Sequence, residues 1–186
     1  SRLMGIPTLI KTLTASGDSS LSFVDGTADV TLDSTYDEYM FVCTDIGPAT
    51  DNVHFQFQCN VASGSGYNET ITSVAFLAGH YEDDSSTTLA ISAGNDLAQG
   101  TGYQIVAANI GNAADESCAG ILHLFSPSNT TYMTNFYTRF NQVNEANGTF
   151  DQHRAGYFNL TGAIDEIQFK MSSGNFDGVI QLFGIS

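Results

Sequence analysis

Residues 163–185, AIDEIQFKMSSGNFDGVIQLFGI, constrain the fold more than any other stretch of the chain. In the first half, Ile167, Phe169 and Met171 alternate with Glu166, Gln168 and Lys170. One face is therefore apolar and the other wet, as in a half-buried strand. Ser172, Ser173, Gly174 and Asn175 follow with turn chemistry, and both Gly174 and Asn175 tolerate positive φ. In the second half, Val179, Phe183 and Ile185 fall on one side, with Ile180 and Leu182 on the other. That strand is predicted to be covered on both faces. The whole reads as a β-hairpin whose second arm lies in the interior of the fold.

The same period of two recurs upstream. Residues 53–59 place Val53, Phe55, Phe57 and Cys59 on one side and His54, Gln56 and Gln58 on the other. Residues 8–14 are rich in threonine, only mildly amphipathic, and follow Pro7, which favours an extended conformation before it. Further strands are predicted at 39–44, 70–78, 87–92, 103–109, 120–125, 131–140 and 155–160. Leu21 with Phe23, and Val30 with Leu32, mark short strands on either side of Asp25-Gly26. One helical turn is expected within 95–102, and a loop or short helix at 142–148. No apolar pattern of helical period persists for three turns, and turn residues punctuate the chain at short intervals. The prediction is an all-β chain, a single-domain antiparallel β-sandwich of jelly-roll-like type. Residues 1–17 form an N-terminal arm and first strand, and residues 18–186 form the sandwich.

Charge narrows the function. The chain carries 5 basic and 20 acidic residues, a net charge of −15. Nucleic-acid binding needs clustered Lys and Arg to displace counterions, so it is not expected, nor is an anionic membrane surface. The charge is also uneven: residues 1–17 hold Arg2 and Lys11 with no acid, for +2, and the remainder carries −17. Residues 1–13 also carry Leu3, Met4, Ile6, Leu9, Ile10 and Leu13. This acid-free apolar strip makes Arg2, Leu3, Met4, Ile6, Leu9 and Ile10 the candidate interface residues. The start of the chain lacks a signal-peptide layout, and no apolar run approaches the ~20 residues of a membrane helix. Cys43, Cys59 and Cys118, odd in number and set in apolar strands, are expected to be buried free thiols.

Catalytic patterns are absent. The four histidines, His54, His80, His123 and His153, show no metal-ligand spacing, and His54 and His123 occupy the polar phase of their strands. Glu82, Asp83 and Asp84 are the best oxygen-rich cation candidates, although the spacing of an EF-hand loop is missing. Loop acids such as Asp37 with Glu38 and Asp115 with Glu116 offer pairs of the kind used in glycoside hydrolysis, without a tryptophan to form a sugar platform. There is no nucleophile elbow, dinucleotide fingerprint or P-loop. No catalytic residue and no cofactor is expected. Asn-x-Ser/Thr sequons at Asn68, Asn129, Asn147 and Asn159 carry little weight in a chain so rich in Asn and Thr.

Several stretches together are TLIKTLTAS (8–16), DSTYDEYMF (33–41), IGPATDN (46–52), IGNAADES with GILHLFSPSN (110–129), and the terminal segment 163–185. They resemble a family of small virion proteins of tailed phages, especially phages of marine bacteria and cyanobacteria. The similarity spans nearly the whole chain from Thr8, with 60–105 least characteristic. It implies a non-enzymatic virion protein and offers no catalytic residues. Members are regarded as capsid decoration or tail-fibre-like proteins. Because the first strand comes early in the chain, the expectation is a decoration (cement) protein on the head exterior. The partner would be the major capsid protein or another virion protein, and self-association, as a trimer, is expected. The alternative is a tail-fibre adhesin domain recognising a host surface glycan.

Overall fold

The computed structural model describes residues 5–186 as two antiparallel β-sheets packed face to face, with no helix among the described residues. Thirteen strands follow in order: β1 (Thr8–Asp18), β2 (Leu21–Val24), β3 (Glu38–Pro48), β4 (Val53–Val61), β5 (Ile71–Tyr81), β6 (Thr87–Ile91), β7 (Ala98–Gly100), β8 (Gln104–Ile110), β9 (Cys118–Phe125), β10 (Asn135–Val143), β11 (Gly148–Phe158), β12 (Ile164–Met171) and β13 (Phe176–Ile185). The larger sheet has nine strands in the order β1-β13-β3-β9-β10-β11-β5-β6, with β7 also paired to β5. The smaller has four, in the order β2-β12-β4-β8. The all-β sandwich read from the sequence is therefore the fold.

Between the sheets lies an aromatic core. Nine of the thirteen phenylalanines are buried there: Phe23, Phe41, Phe55, Phe57, Phe136, Phe140, Phe158, Phe169 and Phe176. Phe55 of the small sheet meets Phe140 and Phe176 of the large one, with ring centroids 6.0 and 5.8 Å apart, and stacks on Phe169 beside it. The strict alternation of residues 53–59 and 167–171 thus points every second side chain at the facing sheet. Burying each such ring is worth roughly 1.5–3 kcal/mol.

The terminal segment is not a hairpin. β12 pairs β2 and β4 in the small sheet, whereas β13 pairs β1 and β3 in the large one. The Ser-Ser-Gly-Asn turn, with Gly174 at φ +74°, carries the chain across the sandwich as an arch. The apolar faces of both arms turn inward toward the same core rather than lying side by side. Alternation reports which face is buried, and it is silent about which strand lies alongside. Residues 98–100, where a helical turn was expected, are strand β7, and 144–147 form a turn without helix. Val30 and Leu32, expected to mark a short strand, lie instead in a loop, where both are buried.

The two sheets differ in width. β8, the edge of the small sheet, lies over β10 and β11, so β5 and β6 run on beyond it. There the inward positions of the large sheet turn polar: Gln142, Gln152 and Arg154 are each about 1% exposed. They satisfy the free edge of β8. Arg154 Nε donates to the Ile105 carbonyl at 3.1 Å, and the Gln152 and Gln142 amides both donate to the Ala108 carbonyl. Arg154 Nη1 also donates to the carbonyls of Phe76 (3.3 Å) and His153 (3.0 Å). An unpaired strand edge buried without partners would cost several kcal/mol, and these side chains stand in for a fifth strand.

Candidate functional site

A sandwich has two outer faces, and here they are chemically opposite. The outer face of the small sheet is polar and partly roofed. Gln168 accepts from the Tyr103 hydroxyl at 2.5 Å and donates to Ser22 Oγ at 3.0 Å, and the Lys170 ammonium sits 5.1 Å from the Tyr103 ring centroid. Gln58, read from the sequence as a solvent-facing residue, does point outward but is fully buried. The loops on either side cover it, and its amide donates to the carbonyls of Glu69 (2.9 Å) and Gly102 (3.0 Å).

The outer face of the nine-stranded sheet is apolar and open. Register places Leu9, Phe183, Met40, His123, Tyr137, Ala155 and Val74 in one row across seven strands. The next row runs from Gln181 through Val42, Ile121, Arg139 and His153 to Phe76 and Ile91. Of the four phenylalanines outside the core, Phe76, Phe125 and Phe183 lie on this face. Leu9, Val74, Phe76, Tyr137, Leu89 and Ile91 are all substantially exposed. A soluble monomer rarely presents so continuous an apolar surface unless something covers it. The residue types, with Tyr, Phe, Met and Arg prominent, are those enriched at protein–protein interfaces.

Rings and charges on this face are already mated. The His123 imidazole stacks on Tyr137 with centroids 4.4 Å apart, and Phe76 stacks on His153 at 4.6 Å. Arg139 grips Asp151 with two bonds, Nε to Oδ1 at 3.0 Å and Nη2 to Oδ2 at 2.9 Å, while His153 Nε2 lies 3.2 Å from the same carboxylate. The Arg139 hydrogen bonds hold the Asp151 carboxyl below its ordinary pKa. His123 Nδ1 contacts Glu38 Oε1. The Arg139 and Asp151 charges are thus paired locally, which lowers the cost of removing that part of the face from water. Between these groups lies a hollow of about 500 Å³, floored by Ala119 and Ile121 and walled by His123, Tyr137, Arg139 and Asp151.

The sequence-derived interface residues fall partly on this surface. Leu9 is 51% exposed and ends the first row, and Ile6 is 73% exposed just ahead of β1. Ile10 is half-buried and packs against the core. Arg2, Leu3 and Met4 lie outside the described residues. Glu82, Asp83 and Asp84 sit at the β5–β6 turn, where Asp83 accepts from the Ser85 amide at 2.9 Å and Asp84 lies 3.0 Å from His80 Nε2. They do not converge, and no group of three or more His, Cys, Asp or Glu among the described residues is placed to hold a metal ion. The three cysteines are buried free thiols, as predicted, and burial pushes all three up from their ordinary pKa.

Sequence reasoning passed over the centre of the face. In NFYTRFNQV, Phe136 and Phe140 face inward, leaving Tyr137, Arg139 and Asn141 in the outward phase. That alternation was legible, but the neighbours on β9 and β11 were not. No family model matches this chain, and no curated protein matches it.

Proposed function

We propose that this chain is a non-enzymatic structural protein of a tailed-phage virion, seated on the head exterior as a decoration (cement) protein. The observation that carries this reading is the contrast between the two outer faces. One is polar and partly roofed by its own loops, while the other is broad, apolar and rich in rings, with Arg139 paired to Asp151. Such a surface favours burial against protein over the binding of a small substrate in a cleft. The resemblance to phage virion proteins supplies the setting. The partner is the major capsid protein or a neighbouring virion protein, and the acidic body matches a basic or neutral surface better than an acidic one.

Gold-labelled antibody against the purified chain, applied to particles of its phage, tests the location. Label over heads is expected. Label confined to tail tips would overturn decoration in favour of the second reading, and unlabelled particles would overturn both.

The second reading, a tail-fibre adhesin for a host glycan, draws on the hollow beside Tyr137. A stacked ring pair next to the planar, bidentate Arg139–Asp151 pair combines an apolar platform with fixed donors and acceptors, the chemistry a sugar ring needs. Retention of the protein on immobilised host polysaccharide, lost in Tyr137→Ala, would favour it over decoration.

A further inference from the structure

We propose that the cleft left where the small sheet stops, between the edge of β8 and the overhanging strands β10, β11 and β5, binds a single neutral sugar ring. The cleft lies on the inner side of the large sheet, apart from the open outer face. The inference therefore goes beyond the virion reading and does not depend on it.

Three observations define the site. The first is a hollow of about 240 Å³, lined by side chains of β10, β11 and β5 and by the end of β8. That is several times the ~30 Å³ share of one water, and less than the ~300 Å³ at which sites for drug-sized ligands begin. It suits a ligand of one ring. The second is an unused acceptor. Gln142 lines the hollow and is about 1% exposed, and its Oε1 has no hydrogen-bond partner among the described residues. Its amide group is already committed to the Ala108 carbonyl, which fixes the orientation, because the side chain turned over would set oxygen against oxygen. Buried acceptors are nearly always paired, so this one marks a place where a donor belongs. The third is a ring. Phe150, the register partner of Gln142, lies on Gly79, where any Cβ would collide with it, and Tyr81 meets it edge-on with centroids 5.8 Å apart. The ring is thus held against its own sheet while lining the hollow.

The lining selects the class of ligand. Asn144, two residues beyond Gln142, accepts at Oδ1 from the Gly148 amide at 2.7 Å and the Ala146 amide at 3.2 Å, which leaves its Nδ2 as a donor. A free acceptor and a free donor together match a hydroxyl, which both gives and takes a hydrogen bond, whereas a metal ion or an ammonium would face an opposing N–H. Among the described residues no basic side chain lines the hollow, and Glu145 stands exposed at its rim, so a carboxylate or phosphate is disfavoured. What remains is a neutral molecule that carries several hydroxyls and one apolar face to lay on Phe150. A pyranose ring is such a molecule, and planar amides beside an aromatic platform are the groups that hold it. Asn109 and Glu145 are exposed at the mouth, so the ring enters from solvent, either free or as the end of a glycan.

NMR of the isotope-labelled purified chain, titrated to millimolar glucose, galactose, mannose and N-acetylglucosamine in turn, tests this. At least one sugar should shift the Gln142 and Asn144 side-chain amide signals saturably, and the uronate of the same ring should bind about tenfold more weakly. Sorbitol, with hydroxyls but no ring, should leave the signals in place. Gln142→Met removes the acceptor at nearly constant volume and should weaken binding about tenfold, read at Asn144. Phe150→Leu removes the platform and should do the same, which keeps the test sound if the first variant loses its fold. Methyl glycosides separate the two sources: binding retained identifies the end of a glycan, binding lost identifies the free sugar, and either supports the site. No shift with any sugar overturns the proposal and leaves the Gln142 oxygen to water, while the location of the chain on the particle is still judged by labelling. Shifts confined to Tyr137 and Arg139 overturn it in favour of the outer hollow, and shifts produced by uracil or adenine but by no sugar overturn the class of ligand.

Discussion

Arg154 donates from Nη2 to the Gln152 side-chain oxygen at 2.5 Å, and both residues are about 1% exposed. Two polar groups from one strand thus sit together inside the sandwich, and no carboxylate among the described residues bonds to the guanidinium. Their partners explain the arrangement. Apart from the glutamine, every acceptor is a backbone carbonyl, and that of Phe76 belongs to β5, which the small sheet does not reach. Burial lowers the pKa of Arg154 from its ordinary value, and the group remains a cation at neutral pH.

Removing Arg154 should be among the most damaging single changes. Arg154→Ala strands the Ile105, Phe76 and His153 carbonyls together with Gln152 Oε1, and is expected to cost on the order of 3–5 kcal/mol. Arg154→Lys keeps the charge but cannot reproduce the planar fork, so it should recover less than half of the loss. Urea unfolding of the three proteins provides the comparison, and equal midpoints would show that the seam contributes nothing.

Phe55→Ala should cost about 3–5 kcal/mol, because the ring bridges the sheets through Phe140 and Phe176 as well as stacking on Phe169. Phe76→Ala, on the open face, should cost far less in a dilute single chain. The same unfolding assay separates the two, and similar losses would contradict the assignment of inner and outer faces.

The three thiols should be silent toward a thiol reagent in the native protein and react together on unfolding, since burial both hides them and raises their pKa. Titration with a chromogenic disulfide in buffer and in guanidinium gives the count directly. Rapid reaction of even one in buffer would place it at the surface.

Alkaline pH should weaken the fold. Burial raises the pKa of the buried thiols and of Tyr39, Tyr67 and Tyr103. Groups raised on folding stabilise fully below their unfolded values, near 9 for the thiol and 10 for the phenol, and lose that contribution as pH climbs above them. Each such group steepens the loss by up to ~1.4 kcal/mol per pH unit. Melting temperature should fall progressively above pH 9, and Cys59→Ala should flatten the decline. A profile unchanged by that substitution would assign the effect to general charge repulsion, which added salt should then relieve.

At the acid end, Asp151 works in the opposite sense. Its pKa is held down by Arg139, so its contribution is present above the ordinary aspartate value and fades as pH falls through the depressed one. Asp151→Asn should lower the melting temperature at neutral pH by less than about 3 °C, as befits a pair open to solvent, and the difference should vanish near pH 2. A gap that persists in acid would trace to packing rather than to charge.

The layers were legible because side-chain alternation survives any choice of neighbours. Phe55, Phe57, Phe169 and Met171 were read as inward-facing and are. Pairing was not legible in the same way. The 172–175 turn has the same residues whether it closes a hairpin or spans an arch, and only the facing sheet decides. Gln142, Gln152 and Arg154 did leave a trace: each sits in the inward phase of its strand, where Phe140 and Phe158 also point. A polar residue in that phase marks a place where the opposite sheet stops and its backbone needs partners. The outer face eluded sequence reasoning for a related reason. His123 and Tyr137 are separated by fourteen positions in the chain, and β9–β10 register alone brings them together.

The path of the chain carries a consequence for its birth. Each strand of the four-stranded sheet is preceded and followed by strands of the other sheet, so the smaller layer contains no local hairpin from which to grow. Among the described strands, β2 and β4 are joined only by β12, and β1 finds its partner only in β13. On the ribosome, the earliest of these strands must wait for the latest, and until then Phe23, Phe55 and Phe57 have no finished layer around them. Assembly dominated by such distant pairings is slow. The nascent protein is therefore most vulnerable to proteases and to its own neighbours until β12 and β13 have emerged, and a ribosome stalled short of β12 leaves a product with one unfinished layer and no way to shelter its rings.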